Sequence, residues 1–348
     1  MPASESAPTT PKQLSSALYS TGTLRHGAIL KVEIHKRIET PVSNLWFIEV
    51  EYAPGSSPQL PNRLVVKWPA VESPAPEQGV PEVVFYRELA PMCLSPLIVR
   101  CLATASPTSR RQWLILEDLR LSHTNPPWPE CPSNAEVNEA VTVLARFHAA
   151  WWDAPALGET VGTLHTETNL RTMVHEIASH LPGLINDLND DLSVSDRLVL
   201  ETVFQSSLQP WLRLLENRAL TVVHGDAHPW NFLFSRSGEG LPYLIDWQLW
   251  HLDVGPRDLA FLLALHWEPT VRRQLELPLL NLYHEELIKS GVKNYSFAEL
   301  LLDYRRCVVR NLTFPIILWS RGLDREAWRN RLNFALAAYR DLDCAELL

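Results

Sequence analysis

The stretch His224-Gly225-Asp226-Ala227-His228-Pro229-Trp230-Asn231, followed by Asp246 in Leu244-Ile245-Asp246-Trp247, sets a carboxylate, an amide and a second carboxylate in short succession. Phosphoryl transfer asks little covalent chemistry of a protein and a great deal of positioning and charge neutralisation. Its needs are a base that orients an acceptor hydroxyl and takes its proton, and hard oxygen ligands for Mg²⁺ on the nucleotide phosphates. Asp226 fits the first need, and Asn231 and Asp246 fit the second. An amide beside a carboxylate also keeps the metal site from becoming too negative for a polyphosphate.

Three short strands must deliver these side chains. Leu220-Thr221-Val222-Val223 reads as a buried strand entering the loop and Phe232-Leu233-Phe234 as one leaving it. The turn Ser235 to Gly240 and a third strand, Pro242 to Ile245, then bring in Asp246. The order Asp, Asn, Asp and the four-residue gap between the first two match the catalytic loop of protein kinases. Taken singly, each residue has a plainer reading as a turn or strand-end residue. A competing chemistry is a zinc-type metal hydrolase, because His224, Asp226 and His228 alternate and could face one way from an extended segment. The remaining histidines, including His148, His165, His175 and His180, are scattered and supply no second cluster. A third class is a ligand-binding protein without turnover.

Upstream, residues 28–38, 45–52 and 63–68 are β-prone runs that predict a small antiparallel sheet. Lys67 ends the third run and is the candidate for contact with the nucleotide phosphates. Pro81 to Leu89 has Pro at a helix start and apolar residues at helical spacing. Glu82 falls on the same stripe as Phe85, Tyr86 and Leu89, where a carboxylate needs a cation partner, so it pairs with Lys67 in this reading. Glu88 faces solvent. The first hairpin, Glu39 to Asn44, lacks Gly-x-Gly, which leaves Ser43 or Asn44 as a phosphate contact in place of a glycine loop.

His-Gly-Asp with Asn at this distance, and Ile-Asp-Trp in place of Asp-Phe-Gly, resembles the aminoglycoside phosphotransferase and choline kinase superfamily. Glu117-Asp118-Leu119 and the closing Asp343 to Leu348 resemble its ecdysteroid-kinase-like branch and bacterial relatives. The resemblance implies an α+β, two-lobed protein-kinase-like fold acting on a small molecule, with a small antiparallel-sheet N-lobe carrying one helix and a larger, mainly helical C-lobe. On that pattern 24–116 is the nucleotide-binding lobe, 117–121 the hinge and 122–348 the catalytic and substrate-binding lobe. Residues 1–23 are expected to be a disordered or poorly ordered tail, because the first dozen are rich in Ser, Pro and Thr and lack the charged start and apolar core of a signal peptide. The backbone of 117–119, at Glu117 and Leu119, would pair with the nucleotide base, with ATP the expected donor and GTP left open. The serine-containing first loop also fits this superfamily.

Beyond the hinge, Ser133-Asn134-Ala135-Glu136 is a capping box, followed by apolar residues and His148 at helical intervals. Further helices are expected near 170–182, 194–217, 257–267, 270–290, 296–319 and 324–342. Asp258 is expected to cap or brace the catalytic segment. Proline-rich loops are expected at 69–81 and 122–133. The short interval from Asp246 to the helix near Arg257 leaves no room for a long activation loop, which points to a small-molecule acceptor.

The 348 residues carry 31 basic and 40 acidic side chains, a net charge of −9, which disfavours nucleic acid as a partner. No run reaches membrane-spanning length, and five cysteines without Cys-x-x-Cys spacing fit a reducing cytoplasm. The acceptor is the open question. Asp187, Asp190, Asp191, Glu285 and Glu286 could bind an aminoglycoside or could be a solvated helix face. Trp230, Trp247 and Trp250 near the catalytic residues favour a ring-bearing, steroid-like or macrolide-like alcohol, although Trp247 could instead pack as the core residue after Asp246.

Overall fold

The computed structural model describes residues 7–40, 43–70, 79–93, 97–109, 111–206 and 208–348, and the chain divides into two compact units. The first comprises Met1–Asn125 and Leu233–Trp250, the second Pro126–Phe232 and His251–Leu348.

The first unit is built on an antiparallel sheet of β1 (Ile29–Glu39), β2 (Ser43–Tyr52), β3 (Arg63–Pro69), β4 (Cys101–Thr104) and β5 (Leu114–Glu117), ordered β1-β2-β3-β5-β4. Alternation along the strands separates two faces. Ile48, Val50, Leu64, Val66 and Ile115 enter a core cluster on one face, while Leu45, Phe47, Val65, Lys67 and Leu116 line a cleft on the other. Both faces of β3 are therefore buried, which explains its nearly continuous apolar run.

Helix α1 (Pro11–Ser20) covers the first face and corrects the expected disorder of residues 1–23. Thr10 and Gln13 form a capping box around Pro11 at the first turn, and Leu14, Ala17 and Leu18 pack into the sheet's core. Residues 1–6 lie outside the described residues, as do 71–78, most of the loop expected at 69–81. Helix α2 (Gly79–Val84) continues into a π-helical turn at Phe85–Leu89, so the expected helix is present with one wide turn. Its stripe holds: Glu82, Phe85, Tyr86 and Leu89 are buried, while Glu88 is exposed and pairs with Arg87.

The expected lobe boundaries also change, because Leu233–Trp250 belongs with the first unit. Strand His123–Thr124 pairs with Phe232–Ser235, itself beside Tyr243–Leu244, and Ile98 bridges Leu244. These long-range pairings fix the segment that carries Asp246.

The second unit is mainly helical: α3 (Asn134–Trp151), α4 (Glu167–Leu188), α5 (Val194–Ser206), α6 (Gln209–Leu212), α7 (Pro256–His266), α8 (Pro269–Lys289), α9 (Phe297–Asn311), α10 (Thr313–Ser320) and α11 (Arg325–Asp341). The helix expected over 194–217 is broken by Pro210 near the start of α6, and that expected over 296–319 divides at Leu312 into α9 and α10. The capping box at Ser133 and Glu136 starts α3 as expected. A two-stranded ladder, Leu220–Val223 against His251–Val254, leads to the loop that carries Asp226. Buried charges are paired: Asp253 with Arg310, and Arg213 with Asp303, which also accepts from Tyr295. No helix among the described residues is long and apolar enough to cross a membrane.

Candidate functional site

In the first unit, Lys67 projects from β3 between two carboxylates. Its Nζ lies 2.8 Å from Glu82 Oε2 and 2.6 Å from Asp246 Oδ1. Burial by itself would push the ammonium pKa down, but the charges of Asp246 and Glu82 outweigh it and hold the group above the ordinary lysine value. Burial raises the Glu82 carboxyl despite the opposing pull of Lys67.

The positions of both partners follow from packing. Trp247, fully buried, stacks on Phe85 with ring centroids 3.8 Å apart and 6° between planes, and Trp250 Nε1 donates to the Pro81 carbonyl at 2.8 Å. These two contacts fasten the Glu82 helix to the Asp246 segment. Of the two readings open for Trp247, the core one holds, whereas Trp250 is a bracket to Pro81. Asp246 adopts a left-handed conformation, φ 68° and ψ 61°, which is uncommon for a non-glycine residue.

The cleft on this face has a volume of about 320 Å³, with Lys67, Glu82 and Asp246 among its lining residues beside the apolar Phe47, Val65 and Leu116. Glu117 and Leu119 both line it. The amides of Glu117 and Asp118 donate to the Arg100 and Arg63 carbonyls, so of the three amides expected to face a base only that of Leu119 has no acceptor among the described residues. Arg120 lies over the Phe47 ring at 3.7 Å and is held by Asp118, a stacked cation at the cleft wall that the sequence reading missed. Ser43 is buried and lines a smaller neighbouring cavity together with Lys67 and Glu82, its backbone tied to Thr40 across the hairpin.

In the second unit, the loop from His224 to Asn231 hangs from one carboxylate. Asp258, at the start of α7, accepts from the His224 amide at 2.6 Å and the Gly225 amide at 2.9 Å. His148 Nε2 lies 3.2 Å from the same carboxylate, and its Nδ1 lies 2.7 Å from the Tyr283 hydroxyl. Burial opposes ionisation of Asp258, yet the bonds to His148 and the loop amides hold its carboxyl below the ordinary value. Asp258 is thus a brace, as expected, and His148 is a satisfied core histidine. The link from His148 to Tyr283 carries no signal in sequence spacing, since its partners come from α3 and α8.

Asn231 is buried and donates from Nδ2 to the Asp226 carbonyl at 2.8 Å, which commits its nitrogen to the loop and leaves its amide oxygen for another partner. His228 Nε2 lies 3.6 Å from Asp226 Oδ2. Among the described residues no group of three or more His, Cys, Asp or Glu side chains is arranged to hold a metal, so the His224, Asp226, His228 triad gains no support. The acidic residues considered for a cationic acceptor are largely paired: Asp187 and Asp191 with Arg325, and Glu286 with Arg146 and Lys289.

Several solved structures share this fold. Choline kinase from Cryptosporidium parvum aligns with a TM-score of 0.56 at 11% identity, covering 91% of each chain. The GDP complex of aminoglycoside 2'-phosphotransferase-IIIa aligns with a TM-score of 0.52 at 16% identity, covering 95% of this chain and 99% of its own. Amicoumacin kinase hAmiN, in complex with AMP-PNP, Ca²⁺ and Ami, aligns with a TM-score of 0.53 at 11% identity, covering 94% and 93%. At such identities the likeness establishes a kinase-like fold and no more. No curated protein matches the chain. Residues 82–294 match the ecdysteroid kinase-like family, a span that takes in Glu82, Asp226, Asn231 and Asp246. The chain is therefore a member of the ecdysteroid kinase-like family.

Proposed function

We propose that this protein is an ATP-dependent small-molecule kinase that transfers the γ-phosphate to a hydroxyl of a small organic acceptor. The observation that carries the reading is Lys67 held between Glu82 and Asp246 on the wall of a nucleotide-sized cleft. A buried ammonium kept charged by two carboxylates is suited to bind phosphate oxygens. The apolar surface of Phe47, Val65 and Leu116 suits a purine, with the Leu119 amide as a donor to it. Nucleotides in the structures of the aminoglycoside 2'-phosphotransferase and of hAmiN support the same use of the fold.

We assign Asp226 as the base that orients the acceptor hydroxyl and takes its proton. Asn231, through its uncommitted oxygen, and Asp246 are the residues we assign to Mg²⁺, whose charge would offset that of the β- and γ-phosphates. Both offer hard oxygens, which fits that ion. The aminoglycoside alternative is the weaker one here, because Asp187, Asp191 and Glu286 already answer to cations of this chain.

The test is a thermal-shift titration with ATP and Mg²⁺ on the wild type and on Asp246→Asn, because a ligand that binds only the folded state raises its melting temperature. A Mg²⁺-dependent shift lost in the variant is expected. A shift indifferent to both Mg²⁺ and the substitution would sink the assignment.

A further inference from the structure

The second unit carries an aromatic and cationic group that the transfer chemistry does not use. From Asp226, the His228 imidazole leads to Trp230 at 5.5 Å between ring centroids, and Trp230 leads to Trp128 at 4.2 Å. His266 closes the other side, 5.8 Å from both His228 and Trp230. Arg331 of α11 places its guanidinium 5.6 Å from the centre of the Trp128 ring. Trp128 is 62% exposed even with Trp230 and the Arg331 guanidinium beside its ring. An indole that keeps most of its surface in solvent next to a cation offers apolar area and charge together to a solute.

Arg331 differs from most arginines of this unit. It is half-buried, donates from Nη1 to the Ala327 carbonyl, and has no carboxylate within salt-bridge distance among the described residues. A guanidinium so placed offers its remaining N–H groups to an anion, for which its planar fork is well matched. Burial lowers its pKa and the Asp226 charge raises it, so cation and base sense one another. Burial above all, aided by the nearby Arg331 charge, drives the His266 imidazole well below its ordinary value, so this ring joins the wall as a neutral group.

We infer that Trp128 and Arg331 form an acceptor subsite beside Asp226 that takes a ring-bearing alcohol carrying a negative charge, such as a carboxylate, near the hydroxyl to be phosphorylated. The inference rests on the kinase reading for the role of Asp226, but its binding preference can be measured apart from turnover. A positively charged acceptor would meet Arg331 head on. A neutral one would stack on Trp128 and leave the guanidinium unanswered.

The experiment is isothermal titration of the full-length protein with three para-substituted probes of one skeleton: a hydroxymethyl-benzoate, the matching benzenedimethanol and the matching aminomethyl-benzyl alcohol. The anionic probe should bind about tenfold more tightly than the neutral one and better still than the cationic one, the margin expected of one charge-assisted contact. Arg331→Gln should erase the ranking, Arg331→Lys should keep part of it, and Trp128→Ala should weaken all three probes by a similar factor. Equal or reversed affinities, or no binding by any probe, would overturn the inference. So would an unchanged ranking in Arg331→Gln together with slower turnover, which would make Arg331 a partner of Asp226 alone. An ATP·Mg²⁺ thermal shift on the same samples separates the two readings: present with no charge ranking, only the subsite fails; absent with the ranking intact, only the kinase reading fails.

Discussion

Asp226 and Asp258 are carboxylates of one loop region, and their surroundings differ sharply. Asp258 is fully buried and committed to two loop amides and His148, whereas Asp226 is partly exposed beside His228. Asp226→Asn keeps the shape of the loop and removes the proton acceptor. Transfer rate should fall by about 10²–10⁴, the usual share of general-base catalysis, with the ATP·Mg²⁺ thermal shift unchanged. A variant that retains full rate would refute the base assignment. Asp258→Ala should act on the fold instead, costing about 3–5 kcal/mol in chemical denaturation because it strands His148 and two buried amides. That Asp226 and Asn231 meet on one loop was legible at this scale, because a four-residue gap fixes their local geometry. Arg120 and Arg331 were not, since each acquires its place only by stacking on a ring from a distant part of the chain.

At the scale of elements, α1 shows how composition can hide structure. The Ser, Pro and Thr of the first dozen residues read as a tail, yet Thr10-Pro11-Lys12-Gln13 is itself a capping box, a signal present in the sequence and outweighed by composition. Leu14 and Leu18 are fully buried against the sheet. Leu18→Ala should destabilise the protein by about 2–5 kcal/mol in urea unfolding, whereas a truly disordered tail would show no change. The strands β1 to β3 and the capped helix α3 were legible because each carries a strong periodic or capping signature. The π-turn at Phe85–Leu89 and the division of 296–319 were not, because tertiary packing decides where a long helix yields.

For the whole molecule, acid stability should be governed by the buried ion pairs of the second unit. Burial opposes ionisation of Asp253, but Arg310, aided by His251, holds its carboxyl far below the ordinary value. A carboxyl with a depressed folded-state pKa contributes stability in full above its unfolded value of about 3.9 and loses that contribution as pH falls through the folded value. The urea midpoint should therefore decline as pH drops below about 4, and Asp253→Asn, already weaker at neutral pH, should decline less over the same interval. Parallel pH curves for the two proteins would show that this pair does not set acid sensitivity. The division of the chain into units was the least legible feature, since nothing near residues 233–250 marks them as belonging with residues 1–125.

That interleaving has a consequence for how the protein is made. A ribosome delivers Lys67 and Glu82 early, but Asp246 follows Lys67 by 179 positions, and Trp247, the stacking partner of Phe85, emerges just after it. Until then the nascent sheet holds a lysine with one of its two counter-charges and an aromatic ring with no lid. Domains tend to fold in the order of synthesis. Here the amino-terminal unit must wait for about half of its neighbour to be translated, and for that interval Phe85 stands without the ring that covers it.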